Sequence, residues 1–306
     1  MTSTSLQTAP APSLGAVFPA QAPVESLAAF ARTVEGAGLD ELWLVEDCFL
    51  SGGLTMAATA LALTERIKVG IGLLPALMRN PALAAMEIAT LARLHPGRFT
   101  VAIGHGVPSW MAQIGAAPKR RMAALEEVVT TIRALLRGDT VTFSGSAVHL
   151  DAVVLENPPD VVPPIVIGTT GPRGLRLAGE HADGFLLPEG CGPGMVEWAI
   201  EAASGVEPSG STEPGDSTEM GDAGRGAPAE RVVYAWASVD DEAASARAAV
   251  EPKLAKWLES GLYPEPYRRA GVEELKGPVD LARLVGELTV HGDVTHTAAE
   301  ITRHAA

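Results

Sequence analysis

Cysteine is scarce in this chain, since Cys48 and Cys191 are its only two among 306 residues. Two thiols cannot build the disulfide framework of a small secreted protein, so we expect a reducing, cytoplasmic environment. Basic residues are also few, with 23 Lys and Arg against 37 Asp and Glu and a formal net charge of −14. This deficit argues against nucleic acid as a partner, because phosphate backbones are bound by basic surfaces.

Long apolar runs are missing as well. No stretch approaches the roughly 18 apolar residues of a membrane helix, so we expect no membrane partner. The first 13 residues have neither the basic nor the apolar region of a signal peptide, and we interpret residues 1–13 as a flexible leader. Because 47% of the residues are hydrophobic and only 20% charged, residues 14–306 can form a single domain with a sizeable core.

Short apolar runs alternate with amphipathic segments along most of the chain. This alternation predicts an α/β fold, either a (β/α) barrel of the TIM type or, as the alternative, a doubly wound sheet. The clearest helix is predicted over 120–136, and a hairpin over 140–150. The predicted strands are Leu14–Phe18, Leu42–Val45, Ile67–Leu74, Phe99–Ile103, Ile165–Ile167, Gly184–Leu187 and Val232–Ser238.

Residues 204–229 break the alternation. The segment is crowded with Gly, Pro, Ser, Thr and acidic residues and contains no aromatic residue. Such a composition cannot bury enough apolar surface to offset the entropy of ordering it. We predict a disordered insertion within the single domain, either a lid or, more simply, a tolerated surface loop.

A glycine-rich loop follows the predicted strand Phe99–Ile103. Gly97 suits the left-handed turn between the preceding helix and this strand. Gly104, His105 and Gly106 come directly after the strand. Ligands bind at the carboxyl ends of parallel strands, so the sequence predicts a site with bare backbone and one imidazole here.

Four ordered motifs give the chain a family resemblance: LVEDCF at 44–49, VGIGLLPALMRNP at 69–81, HPGRFTVAIGHGVPSWMAQIG at 95–115 and IGTTGPRGLRLAGEHADGFLL at 167–187. The set resembles the bacterial luciferase-like superfamily, and within it the deazaflavin (coenzyme F-420)-dependent oxidoreductases. The resemblance implies a luciferase-like (β/α)8 TIM-type barrel, a deazaflavin at the carboxyl ends of the strands, hydride transfer with a small organic substrate, and a homodimer. The alternatives are an FMN-dependent monooxygenase that uses reduced flavin and a non-catalytic flavin-binding barrel.

Two departures from the family pattern accompany this resemblance. Many relatives carry Asp-His after the second strand, whereas this chain has Asp47-Cys48 and so lacks that imidazole. Relatives also continue with a final strand and helix past the segment that ends here at Ala306. We therefore expect the barrel to lack its last strand, unless a segment not recognised as a strand supplies it. The gap beside the first strand would be covered by the leader, by residues after Leu262 or by a second subunit, and the preferred cover is Val279–Val290, whose apolar residues have the spacing of one helix face.

The resemblance also assigns the cofactor-binding residues. Gly72 and Leu73 correspond to a β-bulge with a non-proline cis peptide behind the deazaflavin ring, although an ordinary glycine-rich strand end is the alternative. Free N–H groups at the predicted helix start, with the guanidinium of Arg173, suit a phosphate; a solvated Arg is the alternative. The expected cofactor-binding residues are Gly72, Leu73, Gly104, Gly106, Gly168, Thr169, Gly171, Pro172 and Arg173.

His105, Asp47 and Glu46 are the predicted catalytic residues. An imidazole at the mouth could donate to a ring carbonyl or relay a proton, but a structural histidine is equally consistent. A carboxylate inside a barrel mouth needs a partner, although Asp47 could instead cap a helix. The scattered histidines lack metal-binding spacing, so no metal is expected.

Further residues stand near the same strand ends. We interpret Cys48 as a small, unreactive hydrophobic residue, because no basic side chain is next to it in the sequence. Glu189 follows the sixth strand as a candidate acid, with a solvated loop residue as the simpler reading. Arg79 could support phosphate binding or be exposed, and Trp110 and Met111 could line the substrate pocket or pack a loop.

Overall fold

The computed structural model describes residues 12–205, 229–261, 264–270 and 280–305. Its strands are β1 (Gly15–Val17), β2 (Glu41–Leu44), β3 (Lys68–Pro75), β4 (Phe99–Gly104), β5 (Val141–Ser144), β6 (His149–Val153), β7 (Ile165–Gly168), β8 (Gly184–Leu187), β9 (Glu230–Val233), β10 (Ala237–Val239) and β11 (Val290–Gly292). Its α-helices are α1 (Leu27–Gly36), α2 (Gly53–Leu63), α3 (Pro81–Leu94), α4 (Pro108–Gln113), α5 (Arg121–Leu136), α6 (Pro172–His181), α7 (Pro193–Ala203), α8 (Ala243–Ser260), α9 (Pro264–Arg269), α10 (Leu281–Leu288) and α11 (Val294–Ala305), with a 3-10 turn at Val24–Ser26 before α1.

The main sheet is parallel and has seven strands in the order β1-β2-β3-β4-β7-β8-β9. The predicted strands and the helices between them are confirmed to within a few residues. Strand β4 pairs directly with β7, because β5 and β6 form a separate antiparallel hairpin outside the sheet. The predicted seventh strand is divided, since β9 pairs with β8 while β10 pairs with β11.

The sheet curves so that distant strands meet inside it. Trp43 on β2 and Tyr234 after β9 contact edge to face, with ring centroids 5.8 Å apart. Ala102, Val166 and Leu186 join them in a small inner core. Contacts across the interior are the geometry of a barrel and not of a flat doubly wound sheet, so the predicted TIM-type architecture is confirmed.

A larger core lies between the outside of the sheet and the helices. It takes the alternate residues of the same strands, including Leu42 and Leu44 of β2, Val101 and Ile103 of β4, and Ile167 of β7. The strands are therefore apolar on both faces, as expected for parallel strands covered by helices. Side chains of neighbouring residues point alternately inward and outward, and this alternation positions the site.

The barrel is open beside β1, as expected from the sequence. Within the described ranges, no strand pairs with the free edge of β1. A short strand that the sequence analysis did not identify, β11, lies parallel to β10 and extends the structure beyond β9. The predicted apolar helix is present as α10, and its Leu284 and Val285 pack with Leu254 of α8.

The leader and the insertion fall largely outside the described residues. Of the predicted leader only residues 12 and 13 are described, and of the predicted insertion only residues 204, 205 and 229. Val279, the first residue of the predicted cover, also lies outside the described ranges. The single-domain interpretation of 14–306 with an insertion at 204–229 stays a prediction.

Candidate active site

The carboxyl ends of β2, β3, β4, β7, β8 and β9 converge on one mouth of the barrel. Successive side chains of a strand point alternately inward and outward, and this alternation determines which of them enter the mouth. On β2 and beyond it, Trp43 and Val45 belong to the inner core whereas Leu44 belongs to the outer one. Asp47 continues the inward series and Glu46 the outward series.

Glu46 is held in the wall of the barrel by an arginine. Its carboxylate accepts two hydrogen bonds from Arg79, at 2.6 and 2.9 Å, and one from the Gly53 backbone N–H at 2.5 Å. The side chain of Glu46 is only 3% exposed. Both oxygens thus accept hydrogen bonds, and those that Arg79 donates to Glu46 raise the pKa of Arg79 above its usual value. The pair connects the loop after β3 to the start of α2.

Asp47 has no such partner. Its carboxylate accepts no hydrogen bond from any described residue, and burial raises its pKa above the usual value for aspartate. It does not cap a helix, because α2 begins six residues later at Gly53 and has Gly52 as its N-cap. An unpartnered, partly buried carboxyl at a barrel mouth is a typical position for a group that exchanges protons.

Glu189, in the loop after β8, lies near Asp47. Burial raises the pKa of Glu189, and the charge of Asp47 raises it further. Burial, and after it the charge of Glu189, raise the pKa of Tyr234 and of Cys191. Glu189 itself is partly buried at the end of β8, which argues against the simpler reading of a fully solvated loop residue.

Tyr234 lies beneath this mouth and was missed by the sequence analysis. It is 6% exposed, and its hydroxyl has no hydrogen-bond partner. A Cβ atom built on Gly72 would lie 2.2 Å from that hydroxyl oxygen and 2.6 Å from Cδ1 of Leu186. Tyr234 falls two residues after the inward-facing Val232, so alternation within the predicted strand was the signal that could have identified it.

The predicted bulge at the end of β3 is present. The pairing of β3 with β4 shifts register between Ile71 and Leu74, and the Gly72–Leu73 peptide is cis. Leu73 therefore points inward, where a Cβ on Gly104 or on Gly168 would lie 2.5 or 2.4 Å from its Cδ2 atom. The two glycines leave space for Leu73, which forms an apolar floor across β3, β4 and β7. A second non-proline cis peptide, Cys48–Phe49, was not anticipated.

His105 lies apart from the two carboxyls. His105 lies two residues after Ile103, which faces outward. It lines a cavity of about 60 Å³ between the barrel and the adjoining helices, and Met111, Arg121 and Leu125 line the same cavity. Burial and the charge of Arg121 lower the pKa of His105 to about 4. Its imidazole is therefore neutral at physiological pH.

The start of α6 carries the remaining predicted cofactor residues. Gly171 is the N-cap, Pro172 is the first helical residue, and no side chain caps the helix. The first-turn N–H groups of an uncapped helix lack intrahelical partners and attract anions. Arg173 is exposed on this turn, and the Thr169 hydroxyl accepts a 3.4 Å hydrogen bond from the Gly171 N–H. Gly106 adopts a positive φ of 67° beside Met111.

Neither cysteine is a nucleophile. The Cys48 thiol is buried and contacts the sulfur of Met78 at 3.5 Å. Burial, together with the charges of Glu46 and Asp47, raises its pKa. Burial likewise raises the pKa of Cys191. Both groups stay protonated thiols, as the sequence interpretation of Cys48 predicts.

An aromatic pair borders the mouth on the side of Glu189. Trp236, directly before β10, and Trp257 of α8 contact edge to face, with ring centroids 5.5 Å apart. A Cβ on Gly190 would lie 3.3 Å from the Trp257 indole nitrogen. Of the two predicted pocket residues, Met111 is buried on α4 and lines the His105 cavity, whereas Trp110 is only partly buried on that helix.

Two kinds of feature are absent from the described residues. No helix in the described ranges is both long and apolar enough to cross a membrane. Within the same ranges, no group of three or more His, Cys, Asp or Glu side chains has a geometry that could hold a metal ion.

Comparison with known proteins agrees with this architecture. The sequence profile of the luciferase-like monooxygenase family matches residues 3–302. A curated relative, the F-420-dependent glucose-6-phosphate dehydrogenase of Nakamurella multipartita, is 37% identical over 139 residues, which are 44% of this chain and 41% of the relative. The first curated relatives are matched over only 41–53% of their own length.

Two solved structures share the fold over nearly the whole chain. The coenzyme F-420-dependent tetrahydromethanopterin reductase of Methanopyrus kandleri superposes with a TM-score of 0.74 at 19% identity, covering 96% of this chain and 90% of that one. The oxygenating component of 3,6-diketocamphane monooxygenase from Pseudomonas putida, in complex with FMN, gives a TM-score of 0.71 at 16% identity, covering 95% and 87%. At these identities the likeness shows the fold alone.

Proposed function

The chain belongs to the luciferase-like monooxygenase family, and we propose that it is an oxidoreductase that transfers a hydride between coenzyme F-420 and a small organic substrate. The observation that carries the proposal is the register shift after Ile71, which turns Leu73 inward over Gly104 and Gly168 at the mouth of the barrel. A flat apolar floor at this place suits one face of a planar ring system.

The other residues around the mouth fit a deazaflavin. Such a cofactor carries a planar ring and a phosphate-bearing tail, and when bound it accepts or donates the hydride. The uncapped start of α6 with Arg173 supports a phosphate site at the rim. Leu73 and the glycines around it support the ring, while Asp47 and Glu189 place two carboxyls where a substrate oxygen would gain or lose a proton.

Cofactor preference is the direct test. We expect F-420 to bind at least about tenfold more tightly than FMN, a difference of about 1.4 kcal/mol, in parallel titrations read by fluorescence. An Arg173→Ala variant should lose about 1–3 kcal/mol of F-420 affinity, because a charge-assisted phosphate contact is removed. Arg32→Ala, an equally exposed change on α1, is the matched control and should bind as the parent does.

Other results of the same titration decide against parts of this proposal. Tighter binding of FMN, with oxygen consumption by the reduced flavin, would support the monooxygenase instead. Binding of either cofactor without turnover of any probe would support a non-catalytic barrel. If Arg173→Ala binds F-420 as tightly as the parent does, Arg173 does not bind the phosphate, and the proposal for the ring site is unaffected.

We further propose a homodimer formed through α3. Leu83, Met86 and Leu94 are 56%, 51% and 67% exposed and fall on one face of this helix, and Phe49 in the β2–α2 loop is 63% exposed. Contiguous exposed apolar surface typically marks an association site. We expect light scattering to give twice the chain mass of 31.7 kDa, and Leu83→Glu with Met86→Glu to give monomers.

The matched control for the dimer is Val161→Glu, which changes an equally exposed residue (52%) in a loop away from α3. It should remain dimeric, and a monomeric parent protein would contradict the assignment of this face. The cytoplasm stays the proposed location, because both cysteines are free thiols.

A further inference from the structure

We propose that Glu189 and Asp47 together form the proton-exchanging pair of this active site, in the place where the family imidazole is missing. The inference rests on the proposed function for its reaction, and on the described residues for its geometry. Glu189 would be the residue that contacts the substrate oxygen, and Asp47 the neighbour that keeps a proton available to it.

The other candidates for this task are unsuited by their surroundings. Glu46 is saturated by Arg79 and by the Gly53 N–H. His105 lies in a separate cavity beside Arg121. Cys48, which stands where many relatives have the imidazole, is a buried protonated thiol. Of the groups predicted from the sequence, Asp47 alone remains inside the mouth, and a single carboxylate there has no described hydrogen-bond donor.

Glu189 enters the mouth from the opposite side of the barrel. Asp47 follows β2 and Glu189 follows β8, which are well separated in the sheet order. Val45, two residues before Asp47, and Leu186, three residues before Glu189, nevertheless pack in the same inner core, and burial and then the charge of Asp47 raise the pKa of Glu189. Only the curvature of the barrel brings them together. Two carboxyls that share a partly buried space do not both ionise easily, so the pair holds its first proton to higher pH than an isolated carboxyl does.

A buried hydroxyl next to the pair independently indicates that a ligand completes the site. The Tyr234 hydroxyl lies inside the barrel against Gly72, within the field of Glu189, and has no partner. Buried hydroxyls are almost always hydrogen-bonded, because leaving one unpaired costs about 1–3 kcal/mol. A polar ligand atom above Gly72, next to Glu189, would satisfy it.

For an alcohol substrate, the O–H bond would break, its proton would pass to the Glu189 carboxylate, and the O–H electron pair would form the second C–O bond of the carbonyl. The C–H bond of the carbinol carbon would break with its electron pair, and a bound deazaflavin would supply the acceptor for that hydride. In the reverse direction, protonated Glu189 would return the proton to the carbonyl oxygen.

The coupling can be tested in the protein without cofactor. Glutamate carboxyl carbons labelled with ¹³C are titrated by NMR, and Glu189→Gln assigns the resonance. We expect Glu189 to titrate above the usual value of about 4.3 and its midpoint to fall in Asp47→Asn. Cys191 and Tyr234 also face Glu189, but both stay neutral over this range. A midpoint near 4.3 that Asp47→Asn does not move would overturn the pair.

Thermal stability provides a second test, for which the direction of the change can be predicted. A carboxyl whose pKa is raised on folding destabilises the protein as pH rises through and above the unfolded value, because the folded state must then carry a poorly solvated charge. Glu189→Gln should therefore melt higher than the parent by about 2–4 °C at pH 8 and equally at pH 4. The control Glu201→Gln, an exposed residue of α7, should match the parent at both.

Turnover then separates this inference from the proposed function. With F-420 and glucose 6-phosphate or 2-propanol as probes, Glu189→Gln should lower kcat at least about 100-fold, whereas Glu201→Gln should not. A kcat within twofold of the parent would overturn the catalytic role of Glu189. Failure of the parent protein to bind F-420 would overturn the proposed function, while the titration without cofactor would still decide whether the carboxyls are coupled.

Discussion

A Gly72→Ala variant is expected to lose about 3 kcal/mol of unfolding free energy and at least about tenfold in F-420 affinity. The added Cβ would lie 2.2 Å from the Tyr234 hydroxyl oxygen and 2.6 Å from Cδ1 of Leu186. Tyr234 cannot retreat easily, because its ring packs against Trp43 at 5.8 Å inside the inner core. The bulge that holds Leu73 must therefore shift, and the floor of the mouth shifts with it.

Denaturant unfolding and the fluorescence titration measure the two effects. Gly36→Ala is the matched control, since a Cβ at Gly36 on α1 meets nothing within 4 Å, and it should be as stable as the parent or slightly more so. Adding Tyr234→Phe to Gly72→Ala removes the closest contact and should restore part of the stability. A fully stable Gly72→Ala variant would mean that Tyr234 and the bulge are not packed together.

The second large effect is expected in an Asp47→Asn variant, whose kcat should fall about 10²–10⁴-fold with either alcohol probe. The amide carries no charge and so no longer raises the pKa of Glu189, which makes Glu189 a weaker base for the substrate proton. Because burial raises the pKa of Asp47, alcohol oxidation by the parent should decline as pH falls through a midpoint above about 3.9, the usual aspartate value. This acid limb should change in the variant.

Steady-state rates from pH 4 to 9 provide the measurement. Asp160→Asn is the control, because Asp160 is exposed and makes no described side-chain contact, and its profile should coincide with that of the parent. An Asp47→Asn profile with unchanged height and shape would show that the proton leaves by another route. A variant that has lost its fold would be recognised by its circular dichroism and excluded from the comparison.

The sequence predicted most of the elements because their signals are local. The apolar run Phe99–Ile103, the helix stop at Gly97 and the amphipathic segment over 120–136 all formed as expected. The bulge with a cis peptide at Gly72–Leu73 was also anticipated, through the family resemblance. The short strand β11 was missed, because three residues within a polar context, Val290–Gly292, carry no recognisable strand pattern.

The residues of the candidate site were likewise predicted only in part from the sequence. The sequence predicted Asp47, Leu73 and Arg173 as site residues, and the structure places Asp47 after β2, Leu73 against the inner core and Arg173 on the first turn of α6. It also grouped Glu46 and His105 with Asp47, and in the structure Glu46 pairs with Arg79 while His105 lines a cavity beside Met111 and Arg121. Tyr234 was overlooked because it sits inside a predicted strand, where an aromatic residue normally means core packing.

By itself, the amino-acid sequence determined the order of strands and helices, the positions of the glycine-rich strand ends and the family. Only the tertiary structure decided which side chains face the inside of the barrel. Strands that are covered on both faces are apolar at every position, so the period-2 signal that would distinguish the inside from the outside is absent. Glu46 and Asp47 are therefore equivalent in sequence but differ in their surroundings, and the carboxyl ends of β2 and β8 reach one mouth only because the sheet curves.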